Sequence, residues 1–211
     1  MRTFMLAVVL GLSVGCQTAY YNTMERLGVQ KREILVDRVG DARDAQEAAK
    51  QQFEDALEQF RAIVEVDAGE LEATYDRLRR EYDRSVTRAE TVSERIDSVE
   101  HVAAALFAEW EGELGEYESA ELRAQSRRQL KATRRQYDQL MQRMRDAEST
   151  MAPVLAAFCD QVLTLKHNLN ARAIAALRGE VRSVEADIKG LIEEMEAAIA
   201  AADEFLARLE R

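Results

Sequence analysis

A seam of mostly apolar residues runs through the middle of the chain at alternating four- and three-residue steps. It reads Leu71, Tyr75, Leu78, Tyr82, Ser85, Ala89, Val92, Ile96, Val99, Ala103, Leu106, Trp110. This spacing keeps one stripe of a helix turned toward a partner helix, whereas a strand would alternate every second residue. The segment is therefore a long rod that must pack sideways on other rods. Composition agrees: with one Pro in 211 residues, 32 % charged and 6 % aromatic, the chain belongs with coiled coils and helical bundles.

Three more segments share the period. Helix one is expected over about 23–66, with Ile34, Leu35, Ala42, Ala45, Ala49, Phe53, Ala56, Leu57, Phe60, Ile63 and Val64 on one face. Asp67-Ala68-Gly69 closes it as a turn, Gly suiting the residue past a helix end. Helix two carries the opening seam from Glu70 to Trp110 or slightly beyond, where Gly112 and Gly115 end it, and Ser119 is the expected N-cap of helix three. Helix three reads Leu122, Leu130, Thr133, Tyr137, Leu140, Met144, Ala147 and Met151, continuing beyond Pro153 with Val154, Leu155, Phe158, Val162 and Leu165. The last helix reads Ile174, Leu177, Val181, Val184, Ile188, Leu191, Ile192, Met195, Ile199, Ala202, Phe205, Leu206 and Leu209.

Two places compete for the third turn. Pro153 removes a backbone donor and crowds the preceding turn, while Asn168-Leu169-Asn170 follows two basic residues suited to a last turn, Lys166 and His167. Turning at Asn168 to Asn170, with a kink at Pro153, gives four rods of matched length, roughly 60–72 Å each at about 1.5 Å per residue. Breaking only at Pro153 would leave a short third rod and a much longer fourth. The apolar phase does run on through Leu165, Leu169, Ala173, Ala176 and Leu177 without slipping. About four rods are expected, with three as the alternative. The fold class is all-α: an elongated antiparallel bundle or coiled coil of long helices, forming one domain over 23–211.

Residues 1–15 are of another kind. Met1-Arg2 is followed by an apolar run from Phe4 to Val14, too short to span a bilayer but fitting a secretory signal. Leu12-Ser13-Val14-Gly15-Cys16 resembles a bacterial lipobox, with Leu12 one place earlier than the preferred position. Cys16 is thus the expected site of lipidation, and 16–22 a short linker. In such lipoproteins Asp in the next position favours inner-membrane retention, so Gln17 implies the periplasmic face of the outer membrane. A soluble periplasmic form is the alternative. Lipid on Cys16 would attach the chain to the membrane without a transmembrane helix, and would leave Cys159 alone, expected as inert helix packing.

Signatures of catalysis are missing. Neither His101 nor His167 follows a Glu at three-residue spacing, the two share no ligand-like spacing, and no phosphate-loop or nucleophile-elbow motif occurs. We therefore expect no enzyme, no metal and no cofactor. A net charge of −10 argues against nucleic acid. The charge pattern is more suggestive. Arg123, Arg127, Arg128, Lys131, Arg134, Arg135, Arg143 and Arg145 crowd helix three, while the last helix carries Glu180, Glu185, Asp187, Glu193, Glu194, Glu196, Asp203 and Glu204. The stripes either flank neighbouring antiparallel helices and set their pairing, or Arg123, Arg127, Lys131, Arg134 and Arg135 form a face for anionic lipid, glycan or a partner. Lys166, His167, Asn168 and Asn170 are expected as a capped turn or a docking tip. The end Leu209-Glu210-Arg211 lacks the terminal Lys needed for attachment to peptidoglycan.

Met24 to Asp44 (MERLGVQKREILVDRVGDARD), Glu109 to Leu114 (EWEGEL), Met151 to Phe158 (MAPVLAAF) and above all Leu165 to Ile174 (LKHNLNARAI) resemble a proteobacterial family catalogued only as a domain of unknown function. The resemblance implies a secreted or lipid-anchored helical protein and transfers no functional residue. The expected role is a non-enzymatic, lipid-anchored envelope scaffold or adaptor with an unidentified protein partner. The alternatives are a periplasmic chaperone and an anion-binding protein. A homo-oligomer is compatible with every one of these readings.

Overall fold

The structure, a computed structural model, describes residues 31–64, 71–167 and 171–209. Within them lie four helices: α1, Lys31–Val64; α2, Leu71–Glu113; α3, Ala120–His167; and α4, Ala171–Leu209. The described residues include no strand. The expected first part of helix one, Cys16, Asp67-Ala68-Gly69 and Asn168-Leu169-Asn170 lie outside the described residues.

Each helix packs against the next, and α4 closes the ring on α1. Cross-helix contacts give the directions. Lys31–Glu109 and Arg95–Asp41 run α1 against α2, Arg134–Glu111 and Arg145–Asp97 run α2 against α3, and Arg43–Asp203 with Lys50–Glu196 run α4 against α1. In each pair of helices, rising numbers on one meet falling numbers on the other. The bundle is up-down-up-down, and each helix turns its apolar stripe inward.

The opening seam is the inner face of α2. Leu78, Ser85, Val92, Ile96, Val99 and Ala103 are buried, and Tyr75, Tyr82, Ala89, Leu106 and Trp110 pack at the edge of the core. Aromatic rings fill its wider parts. Phe158 of α3 meets Phe60 and Tyr82 edge-on at 6.4 and 6.0 Å, and Phe107 meets Tyr137 at 5.3 Å, in the tilted geometries that aromatic quadrupoles favour. Between these clusters the seam narrows. The ion-pair register puts Ala89, Ala198 and Ala202 level with the stretch Ala42 to Ala49, so helices can approach closely there.

α2 ends in tight i to i−3 bonds, Gly115 N–H to Gly112 O at 3.1 Å and Glu116 N–H to Glu113 O at 3.0 Å. Ser119 caps α3 as expected, its Oγ accepting from the Leu122 N–H at 3.3 Å. α3 continues through Pro153 to His167, and α4 is described from Ala171, so the helix does not end at the proline. Pro153 is exposed, so water can reach the Ser149 carbonyl it deprives of a donor. One seam position departs from expectation: Leu122, on the apolar phase of α3, is 53 % exposed. It lies beyond the level that the described residues of α1 and α4 reach. Lys31 and Leu209 share a cavity with Gln129, Thr133 and Gln136, so the first turns of α3 extend past the described ends of α1 and α4.

Candidate functional site

The described residues offer two places where polar chemistry concentrates, both at the end of the bundle where α1 begins. One is an open cavity of about 550 Å³ lined by Lys31, Arg32, Leu106, Glu109, Trp110, Glu113, Gln129, Thr133, Gln136, Arg208 and Leu209. All four helices contribute to it. Lys31 Nζ donates to Glu109 Oε1 at 2.9 Å, and Arg32 donates to the main-chain carbonyl of Leu209. The Trp110 indole N–H donates to Ser126 Oγ at 2.8 Å, which satisfies a hydroxyl buried near this end. The volume lies in the range of small-molecule sites. Its walls supply ion pairs, amides and an indole, and no imidazole or thiol is among the described lining residues. Such a lining can hold a polar or amphipathic group, but it has no nucleophile set beside a base.

The second place is the α2–α3 hairpin with the basic stripe. Arg134 Nη1 meets Glu111 Oε1 at 2.7 Å, and its guanidinium lies 4.9 Å from the centre of the Phe107 ring. Arg123 donates to the Tyr117 carbonyl and ties the turn to the first part of α3. Arg127, Arg128, Lys131 and Arg135 are exposed and make no ion pair among the described residues. The five residues read as one face are thus divided. Arg123 and Arg134 brace the hairpin, whereas Arg127, Lys131 and Arg135 face solvent together with Arg128.

Arg145 is the most heavily clamped cation. Its guanidinium meets Asp97 at 2.6 Å, Glu100 at 2.8 Å and Glu148 at 2.6 Å. Hydrogen bonding to Glu100, ahead of Asp97 and Glu148, holds its pKa above the ordinary value despite partial burial. The acidic residues of α4 do flank a neighbouring helix, but Asp203, Glu196 and Glu185 pair with Arg43, Lys50 and Arg61 of α1, not with the basic stripe of α3. The seam spacing shows which face of a helix is buried and leaves open which neighbour it meets.

The other expected sites fall as follows. Lys166 and His167 are exposed in the last turn of α3, while Asn168 and Asn170 lie outside the described residues, as does Cys16. Cys159 is half-buried and free; its side chain beside Tyr82, together with burial, raises the phenol pKa. His101 is exposed, its Nδ1 2.7 Å from the Asp97 carbonyl. Among the described residues no three His, Cys, Asp or Glu side chains are grouped to hold a metal, and no helix is long and apolar enough to cross a membrane. The cavity was not visible in the sequence, because its lining comes from four separate helices. Gln46 was also missed. It sits on the seam of α1, wholly buried, with neither side-chain nitrogen nor oxygen hydrogen-bonded.

Across residues 20–209 the chain matches the family described as Protein of unknown function (DUF2959). The chain belongs to that family. No curated protein and no solved structure matches it. The DUF2959 match starts upstream of Lys31 and stops at Leu209, so it takes in the whole bundle, the cavity and the hairpin.

Proposed function

We propose that this DUF2959 protein is a non-enzymatic scaffold or adaptor, held by lipid on Cys16 at the periplasmic face of the outer membrane. The observation that carries the reading is the apolar run ending in Leu12-Ser13-Val14-Gly15-Cys16, joined by a short tether to a rod. Lys31 follows Cys16 by 15 positions, a reach of at most about 50 Å if fully extended. The 48 residues of α3 give a rod of about 72 Å. A lipid-held rod of this length presents surfaces well away from the bilayer, which is what an adaptor requires. Gln17 selects the outer membrane. The filled inner face of α2 supports a closed bundle over a chaperone, which would keep apolar surface open for clients.

Metabolic labelling with a clickable fatty acid tests the anchor: wild type takes label and Cys16→Ser does not. Membrane fractionation tests the sorting, with wild type in outer membranes and Gln17→Asp shifted inward. Equal label on both Cys16 forms, or wild type sedimenting with the inner membrane, would remove the basis of the reading. Cross-linking in intact envelopes then identifies what the rod joins, and recovery of no protein partner would argue against an adaptor.

A further inference from the structure

We propose that the α2–α3 hairpin is a self-complementary contact through which two copies of this chain join tip to tip. The hairpin is divided by sign. Glu113, Glu116, Glu118 and Glu121 are exposed and unpaired among the described residues, and the cations Arg127, Lys131 and Arg135 follow them along α3, equally unpaired. Those three cations recur at four-residue steps, so each is one helical turn from a like charge, an unfavourable arrangement within a helix. Glu121 stands six or more residues from all of them, too far for the pairing that helical neighbours make. Asp138, three residues past Arg135, is the acidic neighbour on the same face. The hairpin therefore holds opposite charges that its own geometry keeps apart.

A two-fold axis brings them together. In such an interface the same patch is used twice, and if residue i meets residue j then j meets i. Consider two α3 helices crossing antiparallel at Ala124, which is exposed on the same face as the cations. Glu121, three residues before the crossing, then faces the partner's Arg127, three residues after it. Glu118, in the turn just ahead of α3 and six residues before the crossing, comes toward the partner's Lys131, seven residues after it, and each approach occurs twice. The small side chain of Ala124 permits close approach, and Tyr117, 36 % exposed, adds apolar surface at the turn. An anionic membrane fits less well, because the chain carries a net −10 and the acidic turn lies directly beside the cations. The contact does not depend on lipid at Cys16.

The buried apolar residues of the described helices run from Ile34 to Phe205, so a chain starting at Gln17 keeps all of the described core and serves for the test. Sedimentation velocity should show a dimer at low salt whose dissociation constant rises roughly tenfold or more at high salt, as screening weakens exposed pairs. R127E/K131E/R135E and E116K/E118K/E121K should each be monomeric with unchanged helical circular dichroism. Mixed in equal amounts, they should dimerise, because each then offers what the other lacks. A monomeric wild type, a dimer indifferent to either charge reversal, or failure of the mixture to associate would each overturn the proposal. Should the monomer sediment with anionic vesicles and R127E/K131E/R135E not, the stripe binds lipid instead.

Discussion

Gln46 is where the seam of α1 departs from its own rule. The positions Leu35, Val39, Ala42, Gln46, Ala49, Phe53, Ala56 and Phe60 step by four and three, and all are buried. A buried amide with no partner costs about 1–3 kcal/mol. Gln46→Leu, similar in size, should therefore raise the melting temperature by a corresponding amount; a lower melting temperature would mean that the amide makes a stabilising contact. Ile96, wholly buried in α2, makes the opposite case. Ile96→Ala should cost about 2–5 kcal/mol in thermal or urea unfolding, through lost burial and the space left behind. A cost below that of a surface substitution would place the seam against solvent. Tyr137 links stability to alkali. Burial, helped by Glu100 and Asp138, pushes its phenol up to about 12. An unfolded Tyr ionises near about 10, so the unfolded chain loses its proton first and stability falls as pH rises between roughly 10 and 12, while below that window the contribution is intact. Tyr137→Phe should flatten the melting-temperature profile in that window, and an unchanged slope would assign the alkaline loss to other groups.

At the level of elements, Arg145 is the main electrostatic link between α2 and α3. Isolated surface pairs contribute about 0–1 kcal/mol, but one guanidinium shared by Asp97, Glu100 and Glu148 forms a network. Arg145→Ala should lower stability by more than Arg135→Ala, which removes no ion pair among the described residues. Urea midpoints compare the two, and equal midpoints would show that the network is idle. The elements themselves were largely readable in advance, since seam, cap and turn are local signals: Val92, Ile96 and Val99 are buried, Ser119 caps α3, and α3 runs past Pro153. What required three dimensions were relations between rods. Nothing local to Glu185, Glu196 or Asp203 tells them to meet α1 and not α3. Leu122 carries the apolar phase, yet it is exposed at a level that the described residues of α1 and α4 do not reach. The cavity beside Trp110 is lined from all four helices, and the unpaired state of Arg127, Lys131 and Arg135 among the described residues could be read only once their neighbours were placed.

For the whole molecule, the ring order of helices brings Lys31 and Leu209 to one end, where Arg32 reaches the Leu209 carbonyl. The consequence is mechanical. Tension applied between Lys31 and Leu209 pulls α1 and α4 apart from one end, so their contacts open in sequence, a turn at a time, and little force is needed. Tension applied between Leu209 and Arg61 instead slides α4 along α1, loading Arg43–Asp203, Lys50–Glu196 and every buried row between them at once. Optical-tweezer traces should show a low, gradual yield in the first geometry and a single higher rupture in the second. Equal rupture forces would mean that the α1–α4 contact is not what holds the ring closed. A tether leading into α1 and a load carried near the end of α4 would thus set the weakest of all directions against the bundle, so a rod of this build bears load best when its partner grips the far end.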